Sequence, residues 1–140
     1  MTEKMTEATP AELHPNVVTY LEAIEAFNRN DLDTVQALVV ADVVYRIPGD
    51  SIVGGEYHGI EGFAEILRRL KDESENTLTL TPTAVLADDD NLIARARVTA
   101  RRGRKRLDTE HVYAFRFVGG KLSDGQVFVS DPGQLDAFWS

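Results

Sequence analysis

The sequence predicts an α+β domain: three helices near the N-terminus packed in the concave face of a curved, mostly antiparallel β-sheet. Two observations lead there. Apolar residues recur at helical spacing through the first half, and from about Leu78 the period changes to the alternation of strands. Three clusters, Asp88-Asp89-Asp90-Asn91, Arg102-Gly103-Arg104 and Gly119-Gly120, then punctuate the second half as hairpin turns.

Pro15 suits the first turn of a helix carrying Val17, Tyr20, Leu21, Ile24 and Phe27 on one stripe. The polar break from Asn28 to Asp33 ends it, and Asn30 or Asp31 can cap the next helix by accepting from its free amides. That shorter helix is expected over Asp33 to Val40, and a strand over Ala41 to Pro48. Tyr57-His58-Gly59 turns the chain into a third helix from Ile60 to Leu70, where Gly59 and Gly62 permit a close turn. Strands follow over Leu78 to Val85, Leu92 to Arg101, Leu107 to Phe117 and Lys121 to Val129. Gln134 to Trp139 reads as a closing helical turn. Residues 1–13 read as a flexible leader and 14–140 as one domain, a length able to bury a real core.

The composition excludes several function classes. A formal net charge of −8 argues against nucleic acid or an anionic membrane as the main partner, since both reward basic surfaces. No apolar run is long enough to span a bilayer, and residues 1–12 show no secretory signal pattern. The absence of cysteine removes disulfides, thiolate catalysis and cysteine metal sites, and fits a cytoplasmic protein. His14, His58 and His111 have no spacing of a metal triad, and the Asp88 to Asn91 run lacks the further ligands of a calcium loop. Arg101 to Arg106 reads as a charged hairpin tip that protects an exposed edge.

A curved sheet with helices in its concave side leaves a conical cavity lined by one face of each strand. Alternation groups Tyr45 with Ile47, and Arg95 and Arg97 with Thr99. It likewise groups Thr109 and His111 with Tyr113, Phe115 and Phe117, and Leu122 and Asp124 with Gln126 and Phe128. A one-residue slip exchanges the two faces of a strand, so alternation alone leaves the inward face open.

The order of capped helices, first strand and Gly-turn, with His111-Val112-Tyr113-Ala114-Phe115-Arg116-Phe117 running into Gly119-Gly120-Lys121, resembles the SnoaL-like group of the nuclear transport factor 2-like superfamily. The resemblance covers about Pro15 to Trp139 and implies a cystatin-like cone, a homodimer through the outer sheet face and no cofactor. Relatives include ketosteroid isomerases, polyketide cyclases and limonene-epoxide-type hydrolases, whose functional residues stand on the inward faces. The aspartate base that precedes a proline in ketosteroid isomerases is here Ile47, and the arginine of the epoxide hydrolases corresponds to Arg97, with Thr99 and Gln126 at its aspartate positions.

The implied function is binding of a small apolar carbonyl or hydroxyl compound, with cofactor-independent isomerisation, cyclisation or hydration as the chemistry of an enzyme. In that scheme His111 moves a proton, paired with Asp124, while Arg97 and Tyr113 stabilise developing charge on oxygen. Tyr20, Tyr45, Ile47, Phe63, Thr99 and Gln126 line the cavity, and His58 its entrance. The competing expectation is a non-catalytic binding or interaction module.

Overall fold

The computed structural model describes residues 13–140, so the expected leader lies, apart from Leu13, outside the described residues. Helix α1 (Pro15–Asn28) and helix α2 (Leu32–Ala37) precede strand β1 (Val39–Ile47), strand β2 (Gly55–His58) and helix α3 (Gly59–Glu73). The meander is β3 (Thr79–Ala87), β4 (Asn91–Arg102), β5 (Lys105–Val118) and β6 (Lys121–Val129), closed by helix α4 (Pro132–Trp139). One six-stranded sheet runs in the order β2-β1-β6-β5-β4-β3. Every neighbouring pair is antiparallel except β1 and β6, which are parallel.

Each helix is tied down locally. The His14 imidazole accepts from the Asn16 amide, while Asn16 Nδ2 donates to the carbonyls of Asp88 and Asp89, both at 3.1 Å. At the other end of α1, Asn28 Nδ2 donates to the Leu80 carbonyl at 2.8 Å and Asn28 Oδ1 accepts from the Leu80 amide at 3.0 Å. The helix therefore lies across β3 with both ends fastened. Asp31 caps α2, accepting from the Thr34 amide at 3.2 Å and its hydroxyl at 2.6 Å. Gly59 enters α3 at φ +74°, a left-handed conformation that favours glycine.

Two differences from expectation stand out. Helix α2 stops at Ala37 and the chain is already extended at Val39, two residues before the expected strand. The β-branched pair Val39-Val40 belongs to the sheet, where such side chains pack well. The short β2 was not expected at all; it pairs with β1 from Val44 opposite His58 to Ile47 opposite Gly55.

At the C-terminal end of α3, Lys71 is almost fully buried, donating to the Leu78 carbonyl at 2.9 Å with its ammonium 4.3 Å from the Phe27 ring centre. That arrangement pins α3 to both α1 and the start of β3. The basic hairpin folds against the same helix end: Arg102 meets Glu73 at 3.1 Å and the Gly103 amide donates to Glu75 at 2.6 Å. Asp88 Oδ1 accepts from the Asp90 and Asn91 amides, so the acidic run is a turn.

Candidate functional site

Between the helices and the concave sheet face lies a cavity of about 130 Å³. Alternation along each strand places its walls. On β4 the buried row is Leu92, Ala94, Ala96, Val98 and Ala100, and on β5 it includes His111, Tyr113, Phe115 and Phe117. Tyr20 enters from α1, Phe63 from α3, Tyr45 and Ile47 from β1, and Trp139 from α4. The sequence therefore meets the structure at Tyr20, Tyr45, Ile47, Phe63, His111 and Tyr113, all of which line the cavity.

Five expected placements are corrected. Arg97 stands on the outer sheet face, its guanidinium paired with Asp108 through contacts of 2.9 and 2.6 Å. The Arg97 hydrogen bond holds the Asp108 carboxyl below the usual carboxylate range. Thr99 shares the outward row of β4. Asp124 also faces outward and receives both its hydrogen bonds from Arg46, at 2.9 and 3.0 Å, so no His111–Asp124 pair forms. Gln126 lies on that same face and donates to the Val127 carbonyl. His58 is the exposed last residue of β2, 3.0 Å from Glu56, and is not among the lining residues.

The face error on β6 has a definite cause. Phe117 pairs with Leu122 but Arg116 pairs with Asp124, leaving Ser123 as an extra residue in a bulge. Leu122 lines the cavity, whereas Asp124, two residues on, has passed to the other face.

The wall is a train of rings. Tyr20 lies 5.9 Å from Phe115 between ring centres, Phe115 lies 5.7 Å from Tyr113, and Tyr113 lies 6.1 Å from His111. Tyr45 closes over it, 5.7 Å from Phe63 in an edge-to-face contact and 6.4 Å from Phe115. Among the described residues, no Asp, Glu, Lys or Arg lines the cavity. Burial pushes the Tyr20 hydroxyl up to about 12 and raises the Tyr45 and Tyr113 hydroxyls as well. The same desolvation pushes His111 down to about 4, so it is neutral at pH 7.

Two polar atoms in this wall are anomalous. The Tyr20 hydroxyl and His111 Nε2 are buried with no hydrogen-bond partner among the described residues. Tyr57, by contrast, donates its hydroxyl to the Val53 carbonyl at 2.7 Å. A buried polar group left unpaired is uncommon and costs about 1–3 kcal/mol.

Trp139 at the closing helix was not singled out from the sequence, whereas Phe115, at the centre of the ring train, was grouped with His111 and Tyr113 on one face but given no site role. Leu135 and Trp139, four residues apart, carry a helical stripe that also points inward.

Comparison with known proteins accords with this architecture. The model of the SnoaL-like domain matches residues 20–124, and the chain belongs to that family. An uncharacterized protein of Mycobacterium tuberculosis is 28% identical over 116 residues, covering 82% of this chain and 88% of that one. The structure of Bal32a, from a soil-derived mobile gene cassette, is 31% identical with a TM-score of 0.86, covering 90% of this chain and 97% of that chain. TerC, co-crystallized with polyporic acid, is 18% identical with a TM-score of 0.80 over 89% of this chain and 98% of its own, a likeness of fold alone. Solved chains described as having a cystatin-like fold or as nuclear transport factor 2-like share the architecture.

Proposed function

We propose that the chain binds a small, neutral, largely apolar molecule bearing a carbonyl or hydroxyl group in the conical cavity. One observation carries this reading: the unpartnered Tyr20 hydroxyl and His111 Nε2 among the residues of a largely apolar wall. A ligand oxygen would satisfy an orphaned donor, and a ligand hydroxyl an orphaned acceptor. A charged ligand is disfavoured, because no lining side chain could neutralise it away from water. A cavity near 150 Å³ takes a benzene-sized guest, so one of about 130 Å³ suits roughly one ring. TerC, alike in fold, was crystallized with the organic compound polyporic acid, which supports a small-molecule role for this architecture.

The reading favours binding over catalysis. Without Asp124 the only titratable base on the wall is His111, and a nitrogen with proton affinity near 4 is a weak one. Were the chain to catalyse isomerisation, cyclisation or hydration, His111 would take the proton and a tyrosine hydroxyl would donate to the reacting oxygen. Its activity would then persist well below neutral pH.

We further propose a homodimer through the outer sheet face. There Val112 stands opposite Phe128, and Ile93 lies diagonally across on β4, opposite Ala114; these residues are 38%, 52% and 48% exposed. The cysteine-free, acidic composition supports a cytoplasmic protein without a nucleic-acid or membrane partner; among the described residues no helix is long and apolar enough to cross a membrane.

The test is a thermal-shift panel of one-ring ketones, phenols and quinones set beside their carboxylate counterparts, repeated on Tyr20→Phe and His111→Leu. Neutral members should stabilise the wild type, and each substitution should weaken a hit about tenfold, the worth of one hydrogen bond. Stabilisation by the carboxylates instead, or hits untouched by both substitutions, would refute the reading.

A further inference from the structure

Gly125 stands where β6 meets β1, opposite Tyr45 on one side and Phe115 on the other. A Cβ built there would lie 2.7 Å from Tyr45 Cδ1, 2.9 Å from Cε1 and 3.1 Å from Phe115 Cδ1. The Tyr45 ring therefore lies across β6 in the space that a side chain at position 125 would fill. The backbone does not demand the glycine, since Gly125 is absent from the residues at positive φ. Glycine inside a strand weakens it and commonly marks a close approach by another group. Here the approaching group is a ring of the cavity wall.

We infer that Gly125 is the positioning residue that sets the size of the cavity, acting through Tyr45. An added methyl must lift the ring off β6. Phe63 on α3 stands edge-on to it and Phe115 stands beside it, so the open direction is the cavity itself. With about 130 Å³ available, an inward swing of the phenol ring removes most of the room for a guest. The inference rests on the cavity being a binding site, and it assigns the site's capacity to a residue that is not among its lining.

The experiment is a double-mutant cycle between Gly125→Ala and Tyr45→Val, read with xenon and benzene, which report an apolar void whatever the natural ligand is. Wild type should bind benzene, and G125A should bind it at least about tenfold more weakly while melting as cooperatively. In the Y45V background the same G125A change should alter affinity by less than about twofold, because no ring remains to be displaced. Equal benzene affinity in wild type and G125A overturns the inference. Should G125A alone fail to fold, a folded G125A/Y45V that binds as Y45V does sustains it, and an unfolded double variant overturns it. A wild type that takes up neither xenon nor benzene defeats the binding-site reading itself, a result distinct from equal uptake.

Discussion

His111 is held unprotonated because its imidazole is buried beside the Tyr113 ring, and the loss of water pushes it down to about 4. The unfolded chain takes up that proton near the ordinary value of 6.5, so between 6.5 and 4 the unfolded state carries more protons than the folded one. This part of the stability is complete above about pH 7 and is lost as pH falls towards 4, by up to about 3 kcal/mol. Urea unfolding at about pH 7.5 and about pH 5 should show the wild type losing roughly 2 kcal/mol more than His111→Leu; equal losses would contradict the buried neutral state. Tyr20→Phe should behave oppositely to an ordinary core substitution. Removing an unpartnered hydroxyl should stabilise the ligand-free protein by about 1 kcal/mol while weakening binding of an oxygen-bearing guest. Arg97→Ala should leave ligand affinity unchanged and shift stability by less than about 1 kcal/mol, as an exposed ion pair does. That last placement was legible in the sequence. Along β4 an unbroken row of Leu92, Ala94, Ala96, Val98 and Ala100 alternates with a row holding three arginines, and burial of charge is costly enough to turn the arginines outward. The resemblance to epoxide hydrolases points the other way, and the local alternation is the better guide.

At the scale of elements, the helical and alternating periods locate α1, α3 and the four meander strands because each buries only one face, and one-sided burial writes itself into the sequence. Strand β6 matches its expected limits, Lys121 to Val129, yet its facing does not follow from them, since the bulge at Ser123 changes phase without a break in strand character. Strand β2 is four residues long and includes Gly55, too little for a period to register. Helix α4 is the element through which Leu135 and Trp139 reach the cavity, and Asp131 caps it by accepting from the Gln134 amide at 3.1 Å. Asp131→Ala should loosen this helix by about 1 kcal/mol. Faster amide exchange over residues 135–139, with faster ligand dissociation, is the expected signature; unchanged dissociation would show that α4 does not limit exit.

The whole molecule presents two unlike sheet faces. The concave face is largely apolar, its polar groups being His111 and the hydroxyls of the lining tyrosines, while the outer face sets Ile93, Val112 and Phe128 among paired charges such as Arg95 with Glu110 and Arg97 with Asp108. A patch of that kind on a two-fold axis is self-complementary. Sedimentation of the wild type should show a dimer at about 10–100 μM, and Phe128→Glu should yield a folded monomer; a monomeric wild type would remove the proposed interface.

The parallel seam of β1 and β6, with Tyr45 set against Gly125, joins strands from opposite ends of the sequence. The hairpins from β3 to β6 need only short loops to close, so they should assemble early, whereas the seam must close the longest loop in the sheet. On the ribosome, β1 emerges long before its partner and waits with an unpaired edge while the rest of the chain is made. The chamber thus has no floor until β6 has been synthesised.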